Sequence, residues 1–81
     1  MSPTILATTE EALEHLGQHQ PSNDRFELAV KDGFTWKGKP DVIGLGMALI
    51  LRKILAMGYE PDGFEQKDGF RLYQYKKMKQ V

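Results

Sequence analysis

From Val42 to Met57 the chain reads Val-Ile-Gly-Leu-Gly-Met-Ala-Leu-Ile-Leu-Arg-Lys-Ile-Leu-Ala-Met. Apolar residues recur there at helical spacing, but on more than one side. At 100° per residue, Ile43, Met47, Ile50, Leu51, Ile54 and Met57 fill one arc, which is the expected core side. Leu45, Leu49, Arg52 and Ala56 follow 4-3-4 spacing on the opposite side and form a second stripe. A chain of 81 residues has little left to cover both. Such a helix is therefore the spine of the fold, a surface shared with a partner, or both.

Size sharpens this constraint. Eighty-one residues make one domain, spanning 1–81. A domain this small buries only roughly 60% of its unfolded surface and is marginal unless helped. Disulfides cannot help, because there is no cysteine. Thiolate metal sites and thiol catalysis are excluded with them. Good packing or association remains.

The limits of the long helix are marked by residue chemistry. Pro40 suits a first helical position, where its missing N–H leaves nothing unpaired. Gly58 suits a left-handed C-terminal cap, and Pro61 blocks continuation. This frame places Gly44 and Gly46 inside the helix. Each costs about 0.8–1 kcal/mol there relative to alanine, so a close approach of another element is expected. They do not form a phosphate loop, since no Lys-Ser/Thr follows them.

Upstream, Thr8 three residues before Glu11 fits a capping box, and acids sit where the helix dipole favours them. A helix carrying Ala12, Leu13 and Leu16 on one side should follow and end near Gln18 to Gln20, before Pro21-Ser22-Asn23-Asp24. Residues 1–7 hold a short strand or an arm. Phe26, Leu28 and Val30 alternate as in a strand. Asp32-Gly33 suits a hairpin turn returning through Phe34-Thr35-Trp36. Phe64-Glu65-Gln66, Lys67-Asp68-Gly69 and Phe70 to Tyr75 repeat that pattern 36 residues later. Two helix–hairpin units descended from a duplication are one reading; two unrelated Asp-Gly hairpins are the other.

The expected fold is α+β, in the order α-β-β-α-β-β with an additional N-terminal strand as an option. Two helices pack on one face of a small, mostly antiparallel sheet. The expected core is Leu13, Leu16, Phe26, Leu28, Val30, Phe34, Trp36, Ile43, Met47, Ile50, Leu51, Ile54, Phe70 and Leu72. Ends of about residues 1–4 and 77–81 are expected to be flexible.

Charge is balanced, with 11 Lys+Arg against 11 Asp+Glu, which disfavours a strongly electrostatic nucleic-acid binder. Its distribution is uneven. Residues 1–24 hold Glu10, Glu11, Glu14 and Asp24 and no cation; residues 71–81 hold Arg71, Lys76, Lys77 and Lys79 and no acid. No secretory leader is expected, and the apolar part of the long helix, about ten residues, falls short of the ~20 a membrane span needs. A cytoplasmic protein with no membrane association is expected.

Candidate chemistry is sparse. His15 and His19, four apart, share a helix side as in some zinc sites, but no third His or Cys accompanies them. Glu60, Asp62, Glu65 and Asp68 do not match a calcium-loop spacing. No catalytic grouping, cofactor site or metal site is expected, and the chain is read as a non-enzyme. Two surfaces stand out. The stripe Leu45, Leu49, Arg52 and Ala56 points to a protein-interaction domain, a homodimer or an adaptor, with self-association as the expected partner. The alternative is a nucleic-acid module using Arg71, Tyr73, Tyr75 and Lys77 on one face of the last strand, with Lys76 and Lys79 beside them. Aromatic rings stack bases and cations hold phosphates.

Overall fold

The computed structural model describes residues 4–79. The chain forms β1 (Ile5–Thr8), α1 (Thr9–Gln18), β2 (Arg25–Trp36), β3 (Lys39–Pro40), α2 (Leu45–Ala56), β4 (Tyr59–Gln66) and β5 (Phe70–Lys77). The fold is α+β. The sheet runs β1-β2-β5-β4, with β3 attached to β2. Among the described residues only the β1–β2 pair is parallel. The N-terminal strand is present, so the order is β-α-β-β-α-β-β.

Thr8 caps α1 as its spacing suggests: its hydroxyl accepts the Glu11 amide at 3.0 Å. Ala12 and Leu16 are fully buried under that helix. Gly58 follows α2 with φ +91, the left-handed geometry expected of a C-terminal stop.

The first hairpin is not where Asp32-Gly33 suggested. β2 continues through both residues, and Gly33, at φ +79, deforms the strand without reversing it. Between Leu6 and Thr8 of β1 the partner on β2 jumps from Val30 to Thr35. The reversal comes later, at Lys37-Gly38, whose φ values of 54 and 77 suit a two-residue hairpin turn. The reason is tertiary. Lys31 pairs with Phe70, and the Asp32 amide donates to the Gly69 carbonyl at 3.1 Å. The second Lys-Asp-Gly, at 67–69, does turn a hairpin, and it holds the first one extended beside it. The two similar segments are therefore neighbours with different jobs, although the element order from α1 to β5 is α-β-β-α-β-β.

The long helix begins at Leu45, not at Pro40. Pro40 pairs with Thr35 in β3. Gly44 is the N-cap, at φ +75, and has no side chain to serve as a cap. Asp41 supplies it from the loop: one carboxylate oxygen accepts the Gly46 amide and the other the Met47 amide, each at 3.0 Å. A negative group at this end also complements the helix dipole. Starting the helix late leaves Ile43 in the loop, 79% exposed, so it is not a core residue.

Gly46 is where α2 meets the rest of the molecule. A Cβ there would overlap Thr9 Oγ1 and lie 2.9 Å from Trp36 Cβ and 3.1 Å from an Asp41 carboxylate oxygen. Thr9 opens α1 and Trp36 closes β2, so three elements converge on one missing side chain. The Thr9 hydroxyl is fully buried there with no hydrogen-bond partner among the described residues.

Ile50 and Ile54 then enter the core fully buried, with Leu6, Leu16, Leu28, Val30 and Phe34. β5 contributes Tyr75, not Phe70 or Leu72. Tyr73 pairs with Leu28 and Tyr75 with Phe26, which sets the tyrosines on the helix-covered face. Leu72 pairs with Ala29, and Ile5 with Ala29, on the other face, which no helix among the described residues covers. Phe70 and Leu72 are half-buried there, while Tyr59 and Leu6 are core residues that the spacing did not reveal. Leu13, Phe26, Trp36, Met47 and Leu51 are half-buried at the core margin. Phe26 meets Tyr59 edge-on at 4.9 Å and stacks on Tyr75 at 5.1 Å, and the Tyr59 hydroxyl donates to the Asn23 carbonyl at 2.5 Å.

Of the ends expected to be flexible, residues 1–3, 80 and 81 lie outside the described residues. The Lys77 amide donates to Asp24 O at 2.7 Å and the Met78 amide to Gly58 O at 2.9 Å, so both are tied to the fold.

Gly46→Ala should destabilise the protein by about 1–3 kcal/mol through overpacking, even though alanine favours a helix by about 1 kcal/mol. Urea denaturation followed by circular dichroism measures this. A variant as stable as the wild type would contradict the close approach.

Candidate functional site

The outward side of α2 is built by the same contacts that bury its inward side. With Gly46, Ile50 and Ile54 facing the core, 100° spacing turns Leu45, Leu49, Arg52 and Ala56 away from it. All four are exposed, and Ala48 and Leu55 are exposed beside them. Leu45 is 48% exposed and Leu49 38%.

This side runs into an open groove of about 340 Å³ between α2 and the β4–β5 hairpin. Met47, Ala48 and Leu51 form one wall; Pro61, Phe64 and Tyr73 form the other. Phe64, on the edge strand, is 60% exposed and tilts against Tyr73 at 6.1 Å. Arg71 lies beside these two rings at the edge of the groove. Its guanidinium lies 5.2 Å from the centre of the Phe64 ring and 5.9 Å from that of Tyr73. It donates to the Tyr73 hydroxyl at 3.3 Å and to Gln66 Oε1 at 3.2 Å. Sequence reasoning missed Phe64, Ala48 and the groove. Ala48 lies on the flank between the two stripes of the helical wheel, and only the placement of β4, which carries Phe64, makes a wall of that flank.

A second depression, about 260 Å³, adjoins the first across Met47 and Tyr73. Asp32 and Asp41 line it. Both are engaged structurally: Asp41 by the two helix amides, Asp32 by the Gln66 side-chain amide at 3.3 Å.

The basic–aromatic stripe of the last strand is not one exposed surface. Arg71, Tyr73, Tyr75 and Lys77 do share a face, but it is the face beneath the helices. Tyr75 is 4% exposed, Tyr73 is half-buried, and Arg71 and Lys77 remain exposed. Burial pushes the Tyr75 phenol up to about 12, with Tyr73 adding to the shift. Lys76 points to the opposite face, 3.7 Å from Asp62 and 3.9 Å from Glu60. Lys79 follows the strand and is exposed. The tyrosines mislead because a ring with one polar atom suits either side of a sheet.

The carboxylates of β4 are distributed, not convergent. Asp62 pairs with Arg25 at 2.6 Å and Glu65 with Lys67 at 2.8 Å, which lowers the pKa of Glu65 through a hydrogen bond and charge attraction. His15 and His19 contact each other, with ring centres 4.9 Å apart, and among the described residues no three His, Asp or Glu side chains gather into a metal site. No helix among the described residues is long and apolar enough to cross a membrane. Comparison with protein-family models, with curated proteins and with solved structures finds no match.

The buried phenol makes a pH prediction. An unfolded tyrosine ionises near 10, while Tyr75 stays protonated in the fold to about 12. Its contribution is therefore fully present below pH 10 and is lost as pH rises through that interval. Wild-type stability should fall from pH 10 to 12 more steeply than that of Tyr75→Phe. Parallel urea midpoints for the two proteins across that range would contradict the burial of the hydroxyl.

Proposed function

We propose that this chain is a non-enzymatic protein-interaction domain, and that its working surface is the outward side of α2 with the groove beside it. One observation carries the reading: α2 has two apolar sides, and the fold covers one. Exposed single apolar residues are ordinary, but contiguous patches mark interaction sites. Here Leu45, Ala48 and Leu49 continue into a groove walled by Leu51, Phe64 and Tyr73. Arg, Tyr, Phe and Met, the residue types enriched at the centres of protein interfaces, all occur at it.

The nucleic-acid alternative has weaker support. It relied on Tyr73 and Tyr75 as stacking platforms, and Tyr75 is a core residue. Lys76 is engaged by acids on the other face.

A photo-crosslinking amino acid placed at Leu49 in cells should form discrete protein adducts, and the same group at Gln18, at the exposed end of α1, should not. The Leu49 adducts should weaken when Leu45→Glu is added, with the fold retained by circular dichroism. Adduct mass then separates a second copy from a different protein. Equal labelling at both positions, or nucleic-acid adducts alone at Leu49, would contradict the proposal.

A further inference from the structure

Resting on the interaction reading above, the chemistry around the groove identifies the kind of partner. All three carboxylates of β4 turn away from it. Glu60 and Asp62 face Lys76, Asp62 also holds Arg25, and Glu65 holds Lys67. Among the described residues no charged side chain lines the groove itself, and the two acids of the adjoining depression are already engaged, Asp41 by the Gly46 and Met47 amides and Asp32 by the Gln66 side chain. At its edges stand two cations: Arg71 lies over Phe64 and Tyr73, and Arg52 is exposed on the outer flank of α2. Of the five N–H donors of a guanidinium, Arg71 spends two on Tyr73 and Gln66. The others have no acceptor among the described residues and can meet a carboxylate. The surface is thus an apolar channel with a cationic rim.

We propose that the groove receives an amphipathic helix of another protein, which sets apolar side chains against Met47, Leu51 and Phe64 and acidic side chains toward Arg71 and Arg52.

A helix fits better than a strand. β4 is the sheet edge, but Pro61 has no N–H to offer, and the register breaks between Pro61 and Gly63. Both features discourage strand addition. The groove instead runs beside a helix of 12 residues, about 18 Å long. An incoming helix can place side chains at i, i+3 or i+4 and i+7 along such a length.

A different protein fits better than a second copy. Two α2 helices paired antiparallel about a two-fold at the middle of the exposed stripe, between Leu49 and Arg52, would set each Arg52 against Leu49 of the other. The two Arg52 groups then stand within about one turn of each other, like charges at the centre of the contact. The acid-bearing helix of this chain, α1, is not available either. Its Ala12 and Leu16 side is fully buried in its own core.

The test is selection of displayed helical peptides of about 14 residues, with randomised faces, on the wild-type protein. Ala48→Glu plus Phe64→Glu serves as the counter-selection target; both positions are exposed, and retention of the fold is checked by circular dichroism. Enriched peptides should combine an apolar i, i+3/i+4, i+7 stripe with flanking Asp or Glu. Arg52→Glu plus Arg71→Glu should weaken them roughly threefold to tenfold, the range for rim ion pairs, and should favour peptides with Lys in place of the acids.

Enriched peptides without acidic preference, or insensitive to Ala48→Glu plus Phe64→Glu, would overturn the proposal. The interaction reading survives that result if such peptides lose binding on Leu45→Glu plus Leu49→Glu. No enrichment, together with a concentration-dependent dimer abolished by that leucine pair, would make the occupant a second copy and overturn only the partner assignment. Binding of a single-stranded oligonucleotide that the Ala48→Glu plus Phe64→Glu pair abolishes would overturn it in favour of nucleic acid. No enrichment, no dimer and no adduct at Leu49 would remove both readings.

Discussion

The close approach at Gly46 orients everything else in the molecule. Thr9 at the start of α1, Trp36 at the end of β2 and the Asp41 loop all reach the space a side chain would occupy. With that point held and Asp41 fixing the first turn, the rotation of α2 about its axis is determined. Ile50 and Ile54 must enter the core, and Leu45 and Leu49 must leave it. The candidate surface follows from the packing on the other side of the same helix.

The two faces of the sheet divide the polar chemistry. The uncovered face carries the charged pairs of Arg25, Glu60, Asp62, Glu65, Lys67 and Lys76 around a small apolar strip of Ile5, Ala29 and Leu72. The covered face carries Phe26, Leu28, Val30, Tyr73 and Tyr75. Exposed ion pairs contribute little to stability individually. Their consequence here is spatial: they hold the acids of β4 on the face away from the groove, while Arg71 stands beside its aromatic wall.

Local signals that act over a few residues were legible in the sequence. The Thr8 cap, the Gly58 stop, the 67–69 turn and the two-sided apolar pattern of α2 each depend on near neighbours. The exposure of Leu45, Leu49, Arg52 and Ala56 follows from that pattern. What was not legible depended on distant partners. Asp32-Gly33 has the chemistry of a turn, but pairing with β5 keeps β2 extended through it. Pro40 has the chemistry of a helix start, but a β3 pairing takes it and Asp41 caps the helix from outside. The inward face of β5 was ambiguous because Phe70 and Leu72 on one side and Tyr73 and Tyr75 on the other are comparably apolar. Packing against Phe26 and Tyr59 decides it. The groove needed the placement of the edge strand, which no spacing within α2 contains.

The chain has no cysteine, which allows a direct measurement of the two-sided helix. Single replacements Leu45→Cys, Leu49→Cys, Ile50→Cys and Ile54→Cys can be compared for thiol alkylation rate in dilute folded protein, each normalised to the unfolded chain. The arrangement described predicts rapid modification at 45 and 49 and strong protection, by tenfold or more, at 50 and 54, a ratio that ~1.4 kcal/mol of opening free energy already produces. Protection at 45 and 49 equal to that at 50 and 54 would mean that the fold itself covers both sides of α2, and would contradict the central claim.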